Sequence, residues 1–177
     1  MFKIMIGVVI AAAVIIIGFM VIDPKVNMNG SNITDVSSVN ANSYTIEGEV
    51  VKPGTYKMDN EVTMADLIEA AGGLTNNSDE LAFFYDVTLT AGSSYYIASK
   101  YDANDVCNNS AIEKVNINKD NAETLTKING ITSSIANSIV SYRMENTTFT
   151  TLEQLMDVYG IGNATYRKIR NYITLHE

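Results

Sequence analysis

The stretch that decides the fold runs from Leu125 to Ile173 and reads LTKINGITSSIANSIVSYRMENTTFTTLEQLMDVYGIGNATYRKIRNYI. A shift of 30 residues brings the landmarks of its first half onto those of its second half: Leu125 onto Leu155, Gly130 onto Gly160, Ile139 onto Ile169 and Tyr142 onto Tyr172. Within each half the apolar residues recur at helical spacing on both sides of a glycine turn. The sequence therefore predicts an internal duplication, each copy a helix, a short turn and a second helix.

The turn of the second copy, Gly160-Ile161-Gly162, stands directly before a helix. Glycine permits a positive φ, and the first amides of the next helix have no intrahelical acceptor and carry the positive end of its dipole. A phosphate fits at such a position. Cations follow closely at Arg167, Lys168 and Arg170. The pattern is typical of a helix-hairpin-helix motif, which contacts a nucleic-acid backbone without sequence preference.

The first copy differs at its turn, which reads Gly130-Ile131-Thr132 and lacks the second glycine. A β-branched Thr132 resists positive φ, and no cation follows before Arg143, so we expect the second hairpin to carry most of the binding. As an N-cap, however, Thr132 can still organise the helix. The candidate DNA-contacting residues are Gly130, Ile131, Thr132, Ser133, Ser134, Gly160, Ile161, Gly162, Asn163, Ala164, Arg167, Lys168 and Arg170.

Composition limits the function classes. The chain has 12 basic and 20 acidic residues, a net charge of -8, and from Val115 onward six of each sign. This charge balance excludes a uniformly basic surface, so the cations have to cluster on the hairpin face for DNA to bind. We expect a modest affinity for DNA that falls as salt concentration rises. A single cysteine, Cys107, and a single histidine, His176, exclude an internal disulfide, a histidine triad and a two-histidine zinc site. We predict no enzymatic activity, metal or cofactor.

The N-terminus predicts a membrane anchor over residues 1–22. Ile4 to Ile22 carries no charge and spans about 29 Å as a helix, close to the thickness of a bilayer core. Lys3 precedes it and Asp23 follows, so the N-terminus is expected in the cytoplasm and the remainder outside. A cleaved signal peptide is the alternative, which the lack of a suitable cleavage site after the apolar run disfavours. Residues 23–43, rich in asparagine and serine, predict a flexible linker.

Residues 44–99 predict a small domain of mixed α and β structure. An alternating strand begins at Tyr44, a Lys52-Pro53-Gly54 turn leads to a second strand, and Thr63 with Asp66 forms a capping box for a helix. Further strands are expected over 83–89 and 94–98. Polar residues 100–114 predict a second linker, and residues 115–177 the duplicated helical domain.

Two segments of this small domain resemble a known module. The run from Gly48 to Tyr56, GEVVKPGTY, and the AGGLT of 71–75 resemble an SLBB domain, a β-grasp module of the soluble-ligand-binding class. The resemblance implies either a sugar-like or cofactor-like ligand or self-association. No residue marks a ligand site, so we favour an assembly role.

The order of the whole chain resembles the competence DNA receptor ComEA family. Anchor, SLBB-like domain, linker and tandem helix-hairpin-helix follow one another as in that family. The resemblance implies an α+β protein with an N-terminal transmembrane helix, a small β-grasp domain and an all-α tandem helix-hairpin-helix domain. It also implies a surface receptor that binds double-stranded DNA during transformation and passes it to uptake-channel proteins. The alternative is an envelope-assembly or glycan-binding protein whose helical tail docks another protein.

Overall fold

The computed structural model describes residues 42–59, 61–102 and 111–177. The predicted anchor over 1–22, nearly all of the linker predicted over 23–43, and Cys107 lie outside these ranges. Within them, no helix has the length and apolar character needed to cross a membrane.

The first domain is a three-stranded sheet with one helix. Strand β1 lies at the centre, antiparallel to β2 on one side and parallel to β3 on the other. This arrangement of hairpin, helix and parallel strand is a small domain of mixed α and β structure, as predicted for residues 44–99. The elements are β1 (Asn42–Gly48), β2 (Gly54–Met58), α1 (Met64–Ala70) and β3 (Ser94–Ile97), with a 3₁₀ helix at Glu80–Ala82.

The helix begins where its capping residues predict, but one predicted strand is absent. The Thr63 amide donates to the Asp66 carboxylate at 2.8 Å, which confirms the capping box. The expected strand over 83–89 is wrong: Thr88 forms only an isolated bridge with Thr63. Phe83 instead fills the core from irregular backbone, where it is 2% exposed. An apolar run buried in this way cannot be distinguished from a strand by its pattern alone.

The second domain repeats the predicted helix, turn and helix, but the expectation that it is all-α is wrong, because a short parallel pair of strands joins Val115–Asn116 to Ile173–Thr174. Its elements are β4 (Val115–Asn116), α2 (Ala122–Leu125), α3 (Ser133–Asn146), a 3₁₀ helix at Leu152–Asp157, α4 (Asn163–Ile169), a 3₁₀ helix at Arg170–Tyr172 and β5 (Ile173–Thr174), with β4 and β5 parallel. Burial follows the 30-residue shift, because the matched apolar side chains all face one core: Leu125 and Leu155, Ile131 and Ile161, Ile139 and Ile169.

The two domains share a boundary built around Glu153. One oxygen of its carboxylate accepts the Tyr96 amide of β3 and the Tyr166 hydroxyl of α4, each at 2.8 Å. Ala82 and Ala98 of the first domain belong to the apolar core of the second. The described residues of both domains therefore form one compact unit.

Both ends of the segment that joins the domains are held in place. The Ile112 amide donates to the Lys100 carbonyl at 2.8 Å, and the Lys114 ammonium pairs with the Asp79 carboxylate at 2.6 Å. Burial of this pair lowers the pKa of Lys114 even though Asp79 opposes the shift. The linker predicted over 100–114 is thus fixed at its described ends, while residues 103–110 lie outside the description.

Two glycines of the first domain provide a matched test of the fold. Gly48 has φ +85°, and an added Cβ would lie 2.1 Å from the Ile97 carbonyl oxygen; Gly73 has φ +94° with nothing within 4 Å. We expect Gly73→Ala to cost about 1–2 kcal/mol through left-handed strain alone. Gly48→Ala adds a backbone clash and should cost clearly more in urea unfolding. Equal losses for the two variants would contradict this register of β1 and β3.

The buried carboxylate at the domain boundary predicts a dependence on pH. Burial raises the pKa of Glu153, outweighing the hydrogen bonds that lower it. The folded state therefore keeps the proton to higher pH than the unfolded chain, whose glutamate pKa is about 4.3. The contribution of Glu153 to stability is greatest below that value and falls as pH rises through the window above it.

Glu153→Gln keeps an acceptor oxygen for Tyr96 and Tyr166 but carries no charge to bury. Unfolding free energies of the wild type and the variant, measured from pH 4 to pH 7.5, should shift progressively in favour of the variant. A difference that stays constant over this range would show that the Glu153 carboxyl is not desolvated.

Candidate nucleic-acid interface

The two hairpin turns have the same backbone conformation. The first glycine of each turn takes a positive φ, +117° at Gly130 and +94° at Gly160. Thr132 and Gly162 are both helix N-caps in extended conformation, with φ of -80° and -100°. The expectation that Thr132 weakens the first hairpin by resisting positive φ is therefore wrong, because that position never needs it. Both turns are fully formed.

Each turn is pressed against the second helix of the opposite repeat. A Cβ on Gly130 would lie 3.1 Å from Cγ2 of Ile169 and 3.2 Å from Cδ of Lys168. A Cβ on Gly160 would lie 3.3 Å from Cγ1 of Ile135. Glycine is thus favoured at these positions for two reasons: the backbone has a positive φ, and a neighbouring side chain lies close to where a Cβ would be.

The first turns of α3 and α4 face solvent but offer different numbers of amides. Residues 132–134 and 162–164 are exposed. In α3 the Thr132 hydroxyl accepts the Ile135 amide at 3.3 Å. Gly162 has no side chain to cap α4, so the corresponding amide of Thr165 has no side-chain acceptor. The second hairpin can therefore offer an anion one more amide than the first.

Ile131 and Ile161 hold the turns in shape and are not themselves presented to a ligand. Each is 4% exposed, and each amide donates within its own turn, to the carbonyls of Ile128 and Val158 at 3.0 Å. The buried side chains therefore position the turns, and a direct contact of either residue with DNA stays a prediction.

The three cations that follow one another in sequence separate in space. Arg167 is exposed to solvent. The Lys168 ammonium donates to Oδ1 of Asn129, in the first hairpin, at 2.9 Å. Arg170 lies with its guanidinium carbon 3.4 Å above the Tyr96 ring and a nitrogen 3.7 Å from the Glu47 carboxylate. Arg170 thus contacts the first domain, and its role as a DNA contact stays a prediction.

Two residues that accompany the first hairpin do not follow from the turn pattern of the sequence. The Asn129 side chain accepts the Lys168 ammonium, and both residues line one groove together with Lys127. Lys127 and Asn129 precede the glycine, whereas the predicted cations follow it in the next helix. The one signal in the sequence is the reversal of charge at the 30-residue shift, which pairs Lys127 with Asp157.

Comparison with known proteins agrees with both domains. The helix-hairpin-helix motif family matches residues 110–174, and the SLBB domain family matches residues 43–97. The chain is 33% identical over 139 residues to ComE operon protein 1 of Bacillus subtilis, an alignment that covers 73% of this chain and 68% of that protein. The chain belongs to the ComEA family. An uncharacterized protein of Haemophilus influenzae is 42% identical over 62 residues, which cover 34% of this chain and 55% of that protein.

The ComEA-family membership and the described fold agree on the coarse architecture. The chain is an α+β protein in which an SLBB domain precedes a helix-hairpin-helix domain.

The two glycines of the second turn give a direct test of its geometry. Gly160→Ser places a side chain at positive φ and 3.3 Å from Ile135, so we expect a loss of about 1–2 kcal/mol in unfolding free energy. Gly162→Ser places the same side chain at an open N-cap in extended conformation, where serine is favoured, and should be neutral or stabilise by a few tenths of a kcal/mol. If Gly162→Ser destabilises as much as Gly160→Ser in urea unfolding, the assigned turn conformation is wrong.

Proposed function

We propose that the chain is a receptor that binds double-stranded DNA without sequence specificity during DNA uptake. The observation that carries this proposal is the pair of equivalent hairpin turns, each of which exposes the start of a helix to solvent. Membership of the ComEA family and the helix-hairpin-helix match support the same role.

The proposed contacts are to the phosphate backbone. The exposed amides of Ser133, Ser134, Asn163 and Ala164 lie at the positive ends of α3 and α4, where phosphate oxygens can accept them. The hydroxyls at positions 132–134 add further donors. Gly130 and Gly160, with the buried isoleucines that follow them, shape the turns. No aligned set of side chains for reading base edges is needed, so affinity should not depend on sequence.

The ComEA family is non-enzymatic in general, and we propose no catalytic role. The alternative of an envelope-assembly or glycan-binding protein is not favoured, because the family match extends over both the SLBB and the helix-hairpin-helix domains.

We propose that residues 1–22 anchor the chain as a single membrane span, with the N-terminus in the cytoplasm. Residues 23–43 would then tether the domains at 44–99 and 115–177 outside the cell, joined through 100–114, where they pass DNA to channel proteins. Protease treatment of intact cells, with a tag after Glu177, should remove the tag. A tag that is protected in intact cells and cleaved only after lysis would contradict this orientation.

We also propose that the SLBB domain promotes self-association. Linked copies of a weak DNA-binding module gain avidity of about 10² or more on long DNA. Sedimentation of the full chain in detergent should show oligomers, and binding should be tighter on long duplexes than on short ones. A monomer that has equal affinity per site on both lengths would contradict this role.

Binding to DNA is tested most simply by fluorescence anisotropy with the full chain in neutral detergent. The salt slope counts phosphates neutralised by Lys and Arg, so the exposed Arg167 and Lys168 predict a log–log slope of about -1.8 or steeper and a fall in affinity of roughly tenfold or more between 50 and 200 mM salt. Two duplexes of unrelated sequence should bind equally. Absence of binding at 50 mM salt, or a strong preference for one duplex, would contradict the proposed function.

A further inference from the structure

Each hairpin turn borders a groove that it forms with the second half of the opposite repeat. The groove at the first hairpin has a volume of about 450 Å³, and the groove at the second about 460 Å³. The repeat residues that line the first are Lys127, Ile128, Asn129, Lys168 and Tyr172, and the 30-residue shift maps each onto a residue that lines the second: Asp157, Val158, Tyr159, Ser138 and Tyr142. The two grooves are therefore equivalent positions of the duplicated fold.

The charges that the repeats contribute to the two grooves are opposite. In the first groove the repeat supplies two exposed lysines, Lys127 and Lys168. In the second groove their counterparts are Asp157 and Ser138, and Glu145 adds a further carboxylate. The charge of Asp157 acts together with burial to raise the pKa of Tyr142, as expected for a carboxylate beside that ring.

The segment between the domains also contributes to the first groove, through Asp102 and Glu113. These two carboxylates balance the lysines in formal charge, whereas the second groove holds two carboxylates and no base. A phosphate therefore meets a neutral groove with two exposed ammonium groups at the first hairpin and a net negative groove at the second.

The position of Lys168 links it to the first turn. Its ammonium group donates a hydrogen bond to the Asn129 side chain, and its Cδ lies against Gly130, the residue with positive φ. It reaches this position from α4, which belongs to the second repeat. A hydrogen bond to a neutral amide leaves the lysine two further N–H donors and its full charge for a phosphate.

We propose that Lys127 and Lys168 are the principal phosphate-binding pair of this receptor, and that they act at the first hairpin, with Lys168 supplied by the second repeat. This inference rests on the proposed DNA binding. It reverses the expectation from sequence that the second hairpin dominates. The second hairpin retains its open amides and Arg167, but Asp157 and Glu145 repel the phosphates nearest to them.

The test measures DNA affinity by fluorescence anisotropy at a series of salt concentrations. It compares the full wild-type chain with variants in which glutamine replaces individual lysines. Lys127→Gln with Lys168→Gln should lower affinity at 50 mM salt at least roughly tenfold and flatten the salt slope by about 1.8. Lys119→Gln is the matched control, because Lys119 pairs with Glu177 on the exposed surface, and it should leave the slope unchanged. Arg167→Gln should flatten the slope by about 0.9 at most.

The fold provides a converse test at the equivalent positions. Ser138→Lys with Asp157→Lys recreates the pair in the second groove and should strengthen binding and steepen the slope by up to about 1.8. Urea unfolding of each variant shows whether the fold survives. Lys127→Gln alone, which breaks no hydrogen bond seen in the described residues, gives a second reading if the Lys168 variant is unstable.

The possible outcomes distinguish the proposed DNA binding from the proposed role of the lysine pair. If the wild-type chain fails to bind duplex DNA at low salt, the proposed function is wrong. If the wild type binds and the lysine variants keep its affinity and slope while Arg167→Gln loses both, the function stands and the inference is overturned. Loss in the lysine variants together with gain in the converse variant supports the inference.

Discussion

The contact between each hairpin turn and the second helix of the opposite repeat is the constraint on which the rest of the structure depends. Gly130 lies against Ile169 and Lys168, and Gly160 lies against Ile135, at distances where an added Cβ would be more tightly packed than in ordinary van der Waals contact. These contacts fix the two turns relative to each other and expose the starts of α3 and α4 together. They also bring Lys168 to the first turn. The packing of the repeats, and not the order of residues in the chain, therefore determines which hairpin a cation lies beside.

The domain boundary imposes a second constraint. Glu153 joins the Tyr96 amide of the sheet to the Tyr166 hydroxyl of α4, and Arg170 lies on the Tyr96 ring. An arginine on an aromatic face gains a cation–π interaction as well as its ion pair, so Arg170 stabilises the docking of the two domains. This docking gives the hairpins a fixed platform, and it holds the Arg170 guanidinium against the first domain.

The sequence predicts the repeat well because the apolar period and the turn glycines are local signals. The matched burial of Leu125 with Leu155 and of Ile139 with Ile169 follows from that period. The capping box at Thr63 is equally local. The cap of α2 is harder to predict: Asn121 caps the helix, while the neighbouring Asp120 carboxylate accepts the Asn116 amide. Two neighbouring residues of similar capping preference cannot be ranked without knowing which backbone amide each side chain reaches.

The candidate site was predicted less completely, for two physical reasons. The number of glycines in a turn does not say which one takes positive φ, so Thr132 was misjudged while its backbone matches that of Gly162. The direction of a long side chain also depends on what packs beneath it. Lys168 and Arg170 are two residues apart, yet Lys168 contacts Asn129 and Arg170 contacts Tyr96.

The central claim is that both hairpins bind the DNA backbone together as one interface. Amide chemical shifts of the isotope-labelled full chain in detergent, recorded while a short duplex is added, test it most directly. We expect the amide signals of Ser133 and Ser134 to shift together with those of Asn163, Ala164 and Thr165, with one shared dissociation constant. Shifts confined to the first domain, or two hairpins that respond with unrelated dissociation constants, would contradict it.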